Sequence, residues 1–378
     1  MVPQIDQIER IKKLERVLAS TFVGREEEAR VAVLALLTRQ HAVFIGEPGT
    51  AKSALVHRLA QLVNARFFYY LLSKYTVPDE IVGSIDPVAY RQGRFVRNVR
   101  GKLPDVELAF LDEIFKASSE TLNTILHIMN ERKFVDVDGS VYEVPLWSLF
   151  AASNELPMDS ELVAFYDRFL LRHFVRRIDS VLLETAILHN IRNLHNTNGF
   201  KISLREIEEI YNSVTQYMIN QAVAIAKITA QLVIILRQYG IFISDRTATS
   251  PQHLPRLIAT YSYVYNTDLR KAAITVSKYI LPSEEALDAY KKALNDLMPA
   301  EIREAEENLE RARSEAAGGN LVAAKRLAAE ALQIAQTLFS KPEKLELFKA
   351  EVKEIIEGAE RLIREISRIE EELKKFKI

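Results

Sequence analysis

The chain has 378 residues, more than one ordinary core encloses, so two or three domains are expected. Hydrophobic residues make up 48% and charged residues 27%, the balance of a soluble globular chain, and 50 basic side chains nearly cancel 51 acidic ones. That near-zero charge argues against a global attraction to nucleic acid or membrane, leaving only local patches, and the lack of cysteine excludes disulfides, thiolate zinc sites and cysteine nucleophiles.

The opening stretch, "MVPQIDQIERIKKLERV", is charged throughout and is no signal peptide. No apolar run approaches the ~18 residues of a membrane helix, so a cytoplasmic setting without a membrane span is expected. "AVFIG" (42–46) reads as a buried strand, "AKSALVHRLAQLV" (51–63) has helical spacing, and "RFFYYLL" (66–72) reads as a strand. "VELAFLDE" (106–113) is another strand, followed by a helix near 118–131; "SLFAASNE" (148–155) and "RHFVRRI" (172–178) complete the set. Strands separated by helical patterns imply an α/β domain over 1–180, with a parallel sheet covered on both faces.

Two segments interrupt that alternation. Residues 81–101, "IVGSIDPVAYRQGRFVRNVRG", are rich in Gly and Arg, and 134–144, "FVDVDGSVYEV", alternate around Asp138-Gly139, a type I′ hairpin signal. Residues 181–298 read as all helical, with the stretch from "EEIYNSV" to "ILRQYG" forming one long helix or two. After Pro299 the composition shifts toward Glu, Ala, Lys and Arg. A heptad seam runs through Leu345, Phe348, Val352, Ile355, Ala359, Leu362, Ile366, Ile369, Leu373 and Phe376, and "GGN" (318–320) separates two earlier apolar faces. Residues 299–378 thus read as an antiparallel helical arm, either a packed structural bundle or a partner-binding device.

The chemistry starts at "GEPGTAKS", Gly46 to Ser53, one residue short of the phosphate-loop pattern, with Ala51 where that pattern has glycine. Nucleotide phosphates need backbone N–H donors at a helix N-terminus and a cation. Gly46 and Gly49 admit the backbone, Lys52 reaches the phosphates, and Ser53 holds Mg²⁺. Ala51 costs nothing at negative φ and about 1–2 kcal/mol at positive φ. "LAFLDE" then ends a strand on Asp112-Glu113, a magnesium ligand followed by a water-activating base. Asn154 in "AASNE" either orients the attacking water or merely forms a turn.

These motifs resemble the MoxR family of AAA+ ATPases, and in particular its RavA-like branch. "LPDVELAFLDEIFKASSETLNTILHIMNERKF" and "LFAASNELPMDSELVAFYDRFLLR" carry the likeness, which is strong over about residues 20–180 and loose beyond. RavA-like chains also carry alanine before the loop lysine, so Ala51 looks like a family variant. The resemblance implies an ATP- and Mg²⁺-dependent three-layer P-loop domain, a helical lid and a ring, most simply a hexamer, that remodels or assembles protein partners. It implies that Val23 and Gly24 of "FVGREEEA" border the adenine. The phosphates fall to Gly46, Glu47, Pro48, Gly49, Thr50, Ala51, Lys52, Ser53 and Ala54, and the metal to Ser53 and Asp112. Glu113 is the implied base, Asn154 the sensor 1 residue, and Arg246 of "ISDR" the sensor 2 residue. Arg168 of "YDRF" is the implied arginine finger acting on a neighbouring subunit; an internal pair with Asp167 is its bland alternative, and Arg172 the competing finger. Segments 81–101 and 134–144 correspond to a helix-2 insert and a pre-sensor-1 hairpin facing the pore or upper surface. Relatives often act with a separate von Willebrand A protein, whose acidic-serine motif does not occur in this chain. The β-rich domain that RavA-like chains set into their arm has no counterpart in 299–378. Two other readings stay open: a nucleic-acid motor contacting phosphates through Arg91, Arg94, Arg97 and Arg100, and a nucleotide-switched assembly scaffold.

Overall fold

In the computed structural model, residues 2–375 are described, apart from 137, 158, 193–198, 298–299 and 340–348. Five of the apolar runs pair side by side: β1 (Ala42–Gly46), β2 (Phe67–Leu71), β3 (Leu108–Asp112), β6 (Ser148–Ser153) and β7 (Leu171–Val175), in the order β2-β3-β6-β1-β7 and all parallel. Their side chains alternate between two cores. Phe44, Phe110 and Phe150 face α2 (Glu26–Thr38) and α3 (Lys52–Val63), while Val43, Leu111 and Leu149 share the opposite core with α6 (Ser119–Glu131). This is the three-layer arrangement that a fully buried parallel sheet requires. The register aligns the carboxyl ends: Gly46 lies against Val175, Ile45 against Ser153, and Leu71 against Asp112.

The helical region does not sit apart from this domain. Ile207, Ile210 and Val214 of α9 (Leu204–Asn220), and Leu257 and Ile258 of α12 (Leu254–Tyr265), belong to the same core as α2 and Leu14 and Leu18 of α1 (Val2–Thr21). Polar ties reinforce the seam: Arg10 donates to Glu206 at 2.6 Å and the Tyr279 hydroxyl to Glu27 at 2.6 Å. The long apolar stretch is two helices, α9 and α10 (Ala222–Gln238), bent by 88°. Among the described residues no single helix is long and apolar enough to cross a membrane, although this bent pair together has the length and composition.

Segment 81–101 takes in the end of α4 (Pro78–Val82), all of α5 (Pro87–Arg91) and an antiparallel bridge between Ile85 and Arg97. The hairpin is β4 (Lys133–Val135) with β5 (Val141–Glu143). Its ladder continues to Asp136 N–H on the Ser140 carbonyl at 2.8 Å, and the Gly139 N–H closes the tip on the Asp136 carbonyl at 3.0 Å with Gly139 at φ +84°. With Asp136 bonded to Ser140 and Gly139 left-handed, the tip differs from the expected two-residue type I′ turn at Asp138-Gly139. In the arm, α15 (Ala300–Ala317), α16 (Leu321–Phe339) and α17 (Lys349–Lys375) pack as a three-helix bundle. Ile302 at the start of α15, Leu338 at the end of α16 and Val352 at the start of α17 share one cluster, so successive helices run antiparallel. Ile355, Ala359 and Ile366 are buried within the chain; Leu345, Phe348 and Phe376 lie outside the described residues.

The amino-terminal edge of the sheet is closed by His41. Its Nδ1 accepts from the Leu149 N–H at 3.0 Å, which leaves the ring proton on Nε2, 3.2 Å from the Met129 carbonyl. Complete burial, with the Arg132 guanidinium 2.7 Å from Nε2, holds the imidazole well below its usual 6.5. Burial and Arg39 push Arg132 itself down to about 9. A histidine kept neutral in the fold contributes stability above its unfolded pKa, and that stability is lost as pH falls below it toward the folded value. Between pH 7.5 and 5.5 this one group withdraws stability from the fold. Urea unfolding midpoints at the two pH values should show the loss in the native chain and a smaller one in His41→Gln; equal pH dependence in both would remove His41 as the cause.

Candidate active site

The loop between β1 and α3 is shaped by three backbone positions. At Gly46 a Cβ would lie 2.2 Å from the Val175 carbonyl oxygen, so only glycine allows β7 to approach. Gly49 adopts φ +80° with open space beside it. Ala51 adopts φ +66°, ψ 15°, the left-handed region, so the costly alternative of the two is the one realised. It precedes the first turn of α3 without a side-chain cap, which leaves the helix N–H groups pointing into the loop. Lys52 folds back over the same loop: Nζ donates to the Gly46 carbonyl at 2.6 Å and the Glu47 carbonyl at 2.8 Å. Burial lowers the Lys52 pKa from the usual lysine value, against the opposing pull of Asp112 and Glu113. Thr50 Oγ1 donates to the Glu47 carbonyl, and Arg177 holds the Glu47 carboxylate at 2.5 Å. Pro48 and Ala54 are exposed at the rim.

Beside the loop, the ends of β3 and β6 bring the acidic pair into place. Ser53 Oγ donates to Asp112 Oδ2 at 3.1 Å, and Asp112 Oδ1 accepts from the Glu113 N–H at 3.0 Å. Glu113 itself is left-handed at φ +55°, an unusual posture for a non-glycine residue that turns its side chain off the strand. Asn154 Nδ2 donates to Glu113 Oε1 at 2.7 Å, and Lys116 Nζ lies 3.3 Å from Oε2. Two residues beyond the sequence reading thus touch the site: Lys116, legible as the basic residue three positions after Glu113, and Arg177, whose tether to Glu47 only the fold reveals. Gly24, at φ +73° beside Val23, backs onto an apolar wall: a Cβ there would lie 3.5 Å from the Leu182 and 3.7 Å from the Ile178 side chain.

The remaining arginines are elsewhere. Arg168 lies just before β7, whose first residue pairs with Ala42, whereas the loop follows Gly46. A five-residue strand at about 3.3 Å per residue puts some 16 Å between those edges. Arg168 makes no ion pair among the described residues and is not joined to Asp167. Arg172 is the one that pairs with Asp167, at 3.0 Å; it is buried, donates to the Phe169 and Ile280 carbonyls, and lies over the Tyr166 ring at 4.6 Å. Arg246, on α11 (Asp245–Thr249), donates to Asn130 Oδ1 at 3.0 Å. Asn130 is two residues from Arg132, which lies against His41 and donates to the Trp147 carbonyl at the amino ends of β1 and β6. The structure therefore does not bring Arg246 to its own chain's loop, because the helical region packs on α1 and α2 rather than across the carboxyl edge.

The left-handed alanine gives a simple expectation. Ala51→Gly relieves the side-chain strain of about 1–2 kcal/mol and gives back part of it as unfolded-chain entropy, a net gain of about 0.5–1 kcal/mol. Chemical denaturation without nucleotide measures this; a loss of stability would contradict the backbone assignment.

Comparison with known proteins agrees with this geometry. Residues 9–212 match the family model for the MoxR domain in the MoxR-vWA-beta-propeller ternary systems. An uncharacterized protein of Methanocaldococcus jannaschii is 41% identical over 241 residues, 63% of this chain and 61% of that protein. The chaperone MoxR1 of Mycobacterium tuberculosis is 30% identical over 172 residues, 43% of this chain and 44% of that one. The chain thus spans less than two thirds of these relatives' own length. A candidate ATPase from Cytophaga hutchinsonii shares the fold, with a TM-score of 0.62 at 19% identity over 77% of this chain and 95% of the other. On the matched domain and the parallel-sheet fold that carries the loop, this chain belongs to the MoxR family of AAA+ ATPases.

Proposed function

We propose that the protein hydrolyses ATP with Mg²⁺ at the subunit interfaces of a ring and uses the cycle to remodel or assemble partner proteins. One observation carries this reading: Ser53, Asp112, Glu113 and Asn154 form a hydrogen-bonded run beside the loop lysine. The residues fit ATP and Mg²⁺. Ser53 and Asp112 offer two adjacent hard oxygen donors, the ligand type Mg²⁺ takes. Lys52 is satisfied by loop carbonyls that a phosphate would replace as partners. Bound Mg²⁺ supplies neutralisation of phosphate charge.

The chain's own residues do the rest. The α3 N–H groups and Lys52 bind the phosphates, and the Gly46 backbone keeps the cradle open. Val23 and Gly24, with the Ile178–Leu182 wall, border the adenine. Glu113 accepts a proton from the attacking water, and Asn154 fixes which carboxylate oxygen is turned toward it. Arg168 and Arg246 lie on the edge opposite the loop, so a role on phosphate places them on a neighbouring copy's nucleotide; this supports a ring. Arg168 is the finger in this reading because Arg172 is committed to Asp167 and to backbone carbonyls. The matched family description and the MoxR1 relative support a protein partner, among them a separate von Willebrand A protein.

Lys52→Ala removes the cradle's cation and should abolish binding of a fluorescent ATP analogue. Glu113→Gln should keep binding and lose phosphate release, since an amide cannot accept the water's proton. Equal loss of affinity in both variants would contradict the two roles. Mixing decides the finger: Arg168→Ala copies and Lys52→Ala copies are each inactive, and together they should regain activity where a sound loop meets a sound finger. Fingers supplied from a neighbour contribute about 10³–10⁵ in rate, so recovery is easily read. Arg172→Ala should instead lower stability by about 3 kcal/mol, as expected for a broken buried pair; recovery with Arg172→Ala but not Arg168→Ala would reverse the assignment.

A further inference from the structure

The segment between β2 and β3 ends in an exposed tip that the hydrolytic geometry does not use. Its root is rigid. Asp86 N–H bonds the Val96 carbonyl at 2.7 Å, and Asn98 N–H bonds the Ser84 carbonyl at 2.9 Å, so two strands of chain run side by side. Gly83, at φ +97°, permits this, since a Cβ there would lie 2.0 Å from the Asn98 carbonyl oxygen. Arg97, only 4% exposed, locks the root to the β4–β5 hairpin. It grips Asp136 at 2.9–3.0 Å and Asp79 at 2.6 Å, and lies over the Phe134 ring at 5.5 Å. Arg97 is thus a strut, unlike the three arginines near it in sequence.

The tip itself is apolar and basic. Tyr90 and Phe95 meet edge-to-face at 5.5 Å yet remain 58% and 45% exposed. Val88 and Val96 flank them, also exposed. Arg91, Arg94 and Arg100 are exposed, and no carboxylate pairs with them among the described residues. Nearby carboxylates are already engaged: Asp86 caps α5 through the Val88 and Ala89 N–H groups, Asp79 binds Arg97, and Glu80 accepts from the Val77 N–H. A ligand for this tip must carry negative charge and apolar side chains at once.

We propose that the tip is a docking surface for an extended, acidic polypeptide segment, held by the Tyr90–Phe95 pair and by Arg91 and Arg94. Apolar side chains of the segment lie against the two rings and valines while its carboxylates take the guanidinium forks. A single-stranded nucleic acid is the weaker fit. Base stacking needs free ring faces, and the edge-to-face contact covers one of them. The flanking valines offer nothing to phosphate, and Arg97 is withdrawn from the surface. The proposal rests on the reading of the chain as a protein-directed ATPase, and it names the chemistry of the protein it acts on.

The test is a fluorescence-anisotropy titration of the full chain with a labelled glutamate–tyrosine random copolymer, and in parallel with labelled oligothymidylate. The native chain should prefer the copolymer. Tyr90→Ala/Phe95→Ala and, independently, Arg91→Glu/Arg94→Glu should each weaken copolymer binding about tenfold or more, as loss of aromatic and arginine anchors does. Basal ATP turnover and thermal unfolding should stay within about twofold and a few degrees, as for surface changes. Unchanged copolymer affinity in both double variants, or a preference for oligothymidylate, would overturn the proposal. Lys52→Ala is the separating control: it should bind copolymer normally, so a failure of the hydrolytic reading and a failure of the tip proposal give different results.

Discussion

Parallel pairing of β1 between β6 and β7 sets the distances on which the candidate site depends. With Gly46 against Val175 and Ile45 against Ser153, the loop, the acidic pair after β3 and Asn154 after β6 all emerge at one edge. Adjacent strand ends less than 5 Å apart sideways bring Asn154 within hydrogen-bond reach of Glu113, while the loop after β1 carries Ser53 across the end of β6 to Asp112. A shift of one residue in β3 would turn Asp112 into the core and dismantle both contacts.

The same register separates what it does not join. Groups that start a strand rather than end it, His41 and Arg168 among them, lie a strand's length from the loop. The helical region deepens this separation by fusing to α1 and α2 through a shared core, which carries Arg246 to the amino edge beside Asn130. One chain therefore holds the binding half of the proposed site on one edge and the candidate arginines on the other. Head-to-tail contacts between copies are the arrangement that reunites such halves, and they close naturally into rings. Exposed apolar side chains on α8 (Ser180–Arg192), such as Val181, Leu183 and Ile187, lie next to the Gly24 wall and mark a surface that the isolated chain leaves uncovered.

Much of this was legible because the chemistry sits on consecutive residues at strand ends. "GEPGTAKS", "LAFLDE" and "AASNE" each announce a strand and the group it delivers, so the α/β fold and the loop could be read directly. Glu113 and Asn154 were named singly, but their mutual hydrogen bond depends on strand order, which no local pattern encodes. Arg97 looks like Arg91, Arg94 and Arg100 in sequence; only its meeting with Asp136, 39 positions away, distinguishes strut from surface. The place of Arg246 was equally hidden, since it depends on how α9 and α12 dock on α2. Ala51 shows the limit from the other side: both backbone outcomes were foreseeable, and only the structure selects φ +66°.

The central claim is that the hydrolytic site is complete only when two copies meet, the loop coming from one and the arginine from the other. Specific ATP turnover measured across a dilution series, alongside the assembly's mass, tests it most directly. The account predicts that turnover per chain collapses over the same concentration range in which the assembly dissociates, with nucleotide binding retained by the separated chains. Undiminished turnover in a fully dissociated chain would contradict it.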